Sequence, residues 1–275
     1  MESRNSVNPI DVRAYDTRRL REAFLIQGLF AKSETKLVYS HDDRIIVGSV
    51  CPTAPVVLEA GEAIRAEYFL ERREMGIINI GDKGCVSVDG VRYTLGQMDG
   101  LYVGRGSKVV EFSSDDQNHL AKFYFNSAPA HVTYPTRKVE IGQAEPERLG
   151  SLESSNQRTI YRYIHLRGVR SCQLVMGMTV LEPGSVWNTM PCHTHDRRME
   201  VYLYFGIPED GVVFHYMGEP PETRHIVIRN EEAVINPSWS IHSGCGTKNY
   251  TFIWGMVGEN QVFADQDFVP MSDLR

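Results

Sequence analysis

Two stretches of this sequence echo one another, and that echo narrows the folds open to the chain. Glu71-Arg72-Arg73-Glu74-Met75-Gly76-Ile77-Ile78 resembles Asp196-Arg197-Arg198-Met199-Glu200-Val201-Tyr202-Leu203. Farther on, Leu101-Tyr102-Val103-Gly104-Arg105-Gly106 takes the place that Val234-Ile235-Asn236-Pro237-Ser238-Trp239 holds in the other half. An internal repeat of this kind marks two related structural units. Residues 144–155 are polar and carry Pro146, Gly150 and several Ser and Glu, as a join between units does. The expected division is 1–147 and 148–275.

The units read as β-structure. Ile77-Ile78-Asn79-Ile80, Cys85-Val86-Ser87-Val88 and Val91-Arg92-Tyr93-Thr94-Leu95 alternate and are separated by turn residues, among them Asp89-Gly90. An Asp-Gly pair between alternating runs is a strong hairpin signal. Further runs begin at Ala121, Thr159, Gln173, Val201, Val212 and Tyr250. Strands this short and this evenly spaced predict an all-β sandwich or barrel, not βαβ units. One helix is expected, from Asp16 to Leu29, with Asp16 or Thr17 as cap and Leu20, Ala23, Phe24 and Leu29 as its apolar stripe.

At 275 residues, 42% hydrophobic and 23% charged, the chain has the composition of a globular enzyme. A net charge of −6 argues against general binding to nucleic acid or anionic membrane. The first residues carry scattered charges and no apolar core of a secretory signal. No stretch approaches the roughly 18 apolar residues of a membrane helix. Five cysteines without paired spacing fit a reducing, cytoplasmic compartment.

The chemistry concentrates in the second half. His193 and His195 are two apart, so an extended segment projects both to one side. Glu200 opens a strand on which Tyr202 and Tyr204 share its face, and His242 follows the break at Pro237. Three imidazoles and a carboxylate enclose a divalent first-row ion and leave positions for a substrate; zinc, iron, manganese, nickel and cobalt all accept such ligands. A lone histidine is more often packed or exposed than ligating. Here the first half serves as an internal control. Registered on the Arg-Arg pairs, it places Tyr68, Leu70 and Met75 opposite His193, His195 and Glu200, and the second block places Val109 opposite His242. All four ligands are missing together, as expected of one unit, so the first barrel is expected to be metal-free.

Gly184, His193, His195 and Glu200, followed by Pro237 and His242, resemble the two motifs of the cupin superfamily, with the glycine farther from the first histidine than usual. The resemblance implies two double-stranded β-helix (jelly-roll) barrels. Longer runs are similar to the 5-keto-4-deoxyuronate isomerase family: Trp187 through His195, Arg197 through Tyr202, Pro237 through Gly244 and Phe252 through Gln261, with Tyr39-Ser40-His41, Phe69 through Glu74 and Ala130-His131 in the first half. Membership implies one divalent ion, zinc first, on His193, His195, Glu200 and His242. It also implies a cytoplasmic homohexamer acting in pectin and polyuronide breakdown as a ketol-isomerase on a deoxy-keto uronate.

Such an aldose–ketose shift takes a proton from C2, passes through an enediol and returns a proton to C1; a hydride shift is the rival route. The sequence singles out no general base. Glu219, Glu222 and His225 lie between the two motif blocks, although Glu219-Pro220-Pro221-Glu222 reads first as an exposed turn. Arg197, Arg198, Arg224 and Lys248 are the cations available to a substrate carboxylate. Tyr202, Trp187 and Trp254 are candidate pocket walls. Two other functions stay open: a 5-deoxyglucuronate isomerase of inositol breakdown, and a non-catalytic sugar-acid-binding cupin.

Overall fold

The computed structural model describes residues 1–275 and is all-β, with short helices at Pro9–Val12, Thr17–Phe24 and Gly61–Ile64. Each half folds into a barrel made of one seven-stranded and one four-stranded sheet. In the second half the larger sheet runs Glu147–Leu149, Arg158–Ile164, Val175–Leu181, Thr251–Gly258, Arg198–Phe205, Glu232–Asn236 and Leu25–Ile26. The smaller runs Trp187–Asn188, Ser243–Gly246, Val213–Glu219 and Glu222–Ile228. No helix is long and apolar enough to cross a membrane.

The repeat holds in three dimensions. Met75 lies opposite Val103 and Glu200 opposite Asn236, the register expected from the two echoed blocks. Val88 faces Val91 across Asp89 and Gly90, whose φ angles of 49° and 86° make the tight hairpin turn. In the first barrel Leu70 and Met75 belong to an apolar core with Phe69, Phe112 and Phe125.

The helix is shorter than expected. Asp16 caps it by accepting from Arg19 N at 2.8 Å, and Leu20 and Phe24 are its buried face. It stops at Phe24 because Leu25 and Ile26 become an edge strand beside Val234 and Ala233. The N-terminal segment therefore closes the sheet of the second barrel. A strand expected from Gln173 begins two residues later, at Val175. Glu74 of the first barrel takes the backbone N–H groups of Cys172, Gln173 and Leu174 at 2.7–3.0 Å, and they are lost to the ladder.

The two large sheets pack back to back. Val47, Ile78 and Tyr124 of one meet Met176, Val201, Leu203 and Ile253 of the other in the largest apolar core, 28 residues against 19 and 17 inside the barrels. The barrels are thus one packed unit. Gly76 permits the approach, since a Cβ there would meet Ile164 Cδ1 at 2.5 Å. This arrangement explains why every residue of Arg198–Phe205 is buried. Its odd-numbered residues from Met199 fill the core between barrels, and Glu200, Tyr202 and Tyr204 face the barrel interior.

Glu74 is fully buried and also accepts from Tyr102 OH at 2.8 Å. Glu74→Ala leaves buried donors without an acceptor, a loss of about 3 kcal/mol that lowers Tm by about 6–12 °C for a chain of this size. Thermal unfolding followed by circular dichroism checks this, and an unchanged Tm would mean the barrels are held without it.

Candidate metal centre

Four elements of the second barrel deliver one cluster. His193 lies in a short strand paired with Asp267–Phe268, and His195 follows it. Glu200 comes from the central strand, and His242 from the segment after the turn that Ser240 N closes on Pro237 O at 2.9 Å. The ligand atoms of all four side chains lie within 4.8 Å of one another, and all four residues are buried.

The imidazoles are oriented from behind. His195 Nδ1 lies 2.9 Å from Arg198 O and His242 Nδ1 lies 3.3 Å from Ser240 O. Each Nδ1–H donates to a carbonyl, which leaves the Nε2 lone pair facing inward, as metal-binding histidines are held. His242 Nε2 stands 3.0 Å from His193 Nε2 and 2.9 Å from Glu200 Oε2; His195 Nε2 stands 3.4 Å from the same oxygen. His195 Nε2 is buried with no hydrogen-bond partner. An orphaned lone pair aimed at two other nitrogens and a carboxylate is the donor set that a divalent cation satisfies.

The electrostatics of the cluster shift two of its members, His193 and Glu200. Burial pushes His193 down to about 2, with the neighbouring His242 and His195 adding to it. Burial alone would raise Glu200, but the His242 and His195 imidazoles outweigh it and hold the carboxyl below its usual range. Burial, then the Glu200 charge, keeps the Tyr202 hydroxyl well above its ordinary value.

A cavity of about 230 Å³ opens beside His193 and Glu200. Tyr202, Phe252, Trp254, Met256, Phe263 and Phe268 supply much of its wall. The Tyr202 hydroxyl lies 3.2 Å from Thr189 Oγ1 inside it. A larger cavity, about 440 Å³, lies in the first barrel around Tyr39, His41 and Arg73, and none of the four clustered residues lines it.

Several other expected residues are engaged elsewhere. Arg197 binds Asp265 through Nε and Nη2 at 3.0 and 2.8 Å and Asp267 at 2.7 Å. Arg198, 1% exposed, donates to Asn260 Oδ1 and to the carbonyls of Val262 and Asp265. Both clamp the C-terminal strap over the cavity, and neither side chain lines it. Lys248 is exposed and pairs with Asp210. Glu222 pairs with Arg224, and His225 is exposed beside Phe214; neither reaches the cavity. Residues 219–222 are the turn joining two strands. Trp187 stacks on Tyr216 instead of lining the pocket. His215 is structural, held by Tyr204 OH and Asn236 Oδ1 at 2.7 Å each.

Sequence reasoning missed Arg158, Thr189, Gln266 and Phe268, all of which line the cavity. Arg158 alternates with Ile160 toward the barrel interior, a signal that needs the strand's inner face to be known. Phe268 is 65% exposed in a tail with no strand pattern.

Comparisons with known proteins follow the same lines. The KduI/IolB family matches residues 24–271. The chain is 60% identical over 276 residues to the 4-deoxy-L-threo-5-hexosulose-uronate ketol-isomerase of Caldicellulosiruptor bescii, covering 100% of both. It is 63% identical over 276 residues to the protein of that name from Lachnoclostridium phytofermentans, again covering 100% of both. Among solved structures, an IolB-like protein from Salmonella typhimurium LT2 superposes with a TM-score of 0.67 at 14% identity, over 82% of this chain and 86% of that one. Bacillus subtilis oxalate decarboxylase, described with Mn(II) centres, gives 0.55 at 9% identity, over 82% and 71%. These two likenesses concern the fold.

Arg197 holds Asp265 down at about 2, through their hydrogen bonds first. Removing that clamp in Arg197→Ala is expected to speed amide hydrogen exchange across residues 262–268 while the barrel strands stay protected. Exchange unchanged in that segment would show that the strap is held by other contacts.

Proposed function

The chain belongs to the KduI/IolB family, and from that membership we propose that it is a metal-dependent ketol-isomerase of pectin and polyuronide catabolism. It converts 5-dehydro-4-deoxy-D-glucuronate into 3-deoxy-D-glycero-2,5-hexodiulosonate. The activity itself, an intramolecular oxidoreduction, rests on relatives of 60% and 63% identity that carry the ketol-isomerase name over their whole length. That name also favours the pectin sugar over the inositol-derived one. The observation that carries the metal is the convergence of His193, His195, Glu200 and His242, with two inward lone pairs fixed by backbone carbonyls. Zinc fits this nitrogen and oxygen set and is the ion proposed, one per chain. A homohexamer in the cytoplasm completes the reading.

A divalent ion held there would act as a Lewis acid on the oxygens of C1 and C2, where negative charge builds during enolisation. The protein's own groups do the rest. Phe252, Trp254, Met256 and Phe268 wall the cavity with apolar surface, which strengthens electrostatic interactions inside it. Tyr202 keeps its proton and can donate a hydrogen bond to an enediolate oxygen, with Thr189 at 3.2 Å fixing the hydroxyl. Glu200 is the one carboxylate lining the cavity, and its carboxyl lies below the usual range.

The test is to incubate purified protein with the deoxy-keto uronate in deuterated water without oxygen. Expected are about one zinc per chain by elemental analysis and diketo acid by NMR, with solvent deuterium at the new CH2OH carbon. His193→Ala and Glu200→Gln should stay folded and lose at least about 100-fold in kcat. Absence of isomer from the oxygen-free incubation, or full activity in either variant, would overturn the reading.

A further inference from the structure

The metal donors lie at one side of the cavity, and an open-chain uronate has a second charged end, its carboxylate. On the isomerase reading, that end needs a cation inside the same cavity. Arg158 is the only Arg or Lys among the lining residues. It is half-buried, and the one hydrogen bond its side chain makes inside the protein runs from Nη1 to the carbonyl of Asn156 at 2.9 Å. The cations expected from sequence are committed elsewhere: Arg197 to Asp265 and Asp267, Arg224 to Glu222 and Lys248 to Asp210. No carboxylate forms an ion pair with Arg158. The only one lining the cavity, Glu200, is drawn to His242 and His195.

Sheet order sets the spacing. Arg158 stands on Arg158–Ile164 and Glu200 on Arg198–Phe205, with Val175–Leu181 and Thr251–Gly258 between them. Phe252 and Trp254 of the second intervening strand, Thr251–Gly258, form an apolar floor joining the two ends. A charged guanidinium in a largely apolar cavity, with most of its donors free, is suited to a planar anion.

We propose that Arg158 is the specificity-determining residue that binds the substrate carboxylate and so presents the opposite, C1–C2 end to the His193–His195–Glu200–His242 cluster. This rests on the isomerase reading, and it explains how a cavity lined mostly by apolar groups selects a sugar acid.

The experiment compares the uronate with its methyl ester in metal-loaded wild-type, Arg158→Gln and Arg158→Lys proteins. Arg158→Gln should raise KM for the acid by about 10- to 100-fold, as expected for loss of a charge-assisted pair. KM for the ester should change little, metal content should stay the same, and Arg158→Lys should recover part of the loss. Should Arg158→Gln fail to fold, Arg158→Lys carries the comparison, with a smaller loss confined to the acid. Equal losses for acid and ester, or none, overturn the assignment while wild-type turnover keeps the isomerase reading. If wild type isomerises neither compound, the isomerase reading falls, and calorimetric titration decides the anchor separately. Weaker binding of the acid alone in the variant supports it; equal binding of acid by both proteins overturns it.

Discussion

Four side chains that ordinarily prefer water are buried at a single point inside an apolar barrel, and that constraint organises the rest of the molecule. Bringing His193, His195, Glu200 and His242 within 4.8 Å of one another destabilises the protein unless a cation sits among them. The barrel meets this by rigid support. Arg198 O and Ser240 O fix two of the rings. The strand bearing Glu200 is packed on both faces, against the first barrel on one side and the pocket on the other. Even its start is held across the barrel junction, where Asp43 accepts from Met199 N at 2.8 Å. The first barrel thus acts on the site by packing and hydrogen bonding.

The Arg-Arg pair shows how one motif serves that end twice. In the second barrel Arg197 and Arg198 tie down residues 260–267, whose continuation supplies Phe268 to the cavity. In the first, Arg73 is buried and donates to Ser127 and to the carbonyl of Arg44. Arg72 beside it donates to the carbonyls of Ile64 and Arg65, so both pairs tie neighbouring segments to their barrel. Their repetition reflects architecture.

Much of this was legible before any coordinates. Period-two alternation and the Asp89-Gly90 turn revealed the strands, because both are local signals. The repeat revealed the matched registers of Met75 and Glu200, and the candidate ligands stood out because the counterparts of His195 and Glu200, Leu70 and Met75, are apolar. What stayed hidden depends on long-range contacts. Leu25 and Ile26 look helical until the free edge at Val234 and Ala233 claims them. Glu74 delays a strand nearly a hundred residues away, by taking its first backbone donors. Arg197 and Lys248 looked available because their partners Asp265 and Asp210 lie at distances that sequence spacing does not reveal.

The most direct measurement is X-ray absorption at the metal edge of the loaded protein. Three imidazole nitrogens and carboxylate oxygen at about 2.0–2.2 Å are expected around one ion. Cys192 is turned away into a small apolar cluster with Ile241 and Val269. A sulfur neighbour at about 2.3 Å, or fewer than three imidazoles, would contradict the cluster as the ion's binding site.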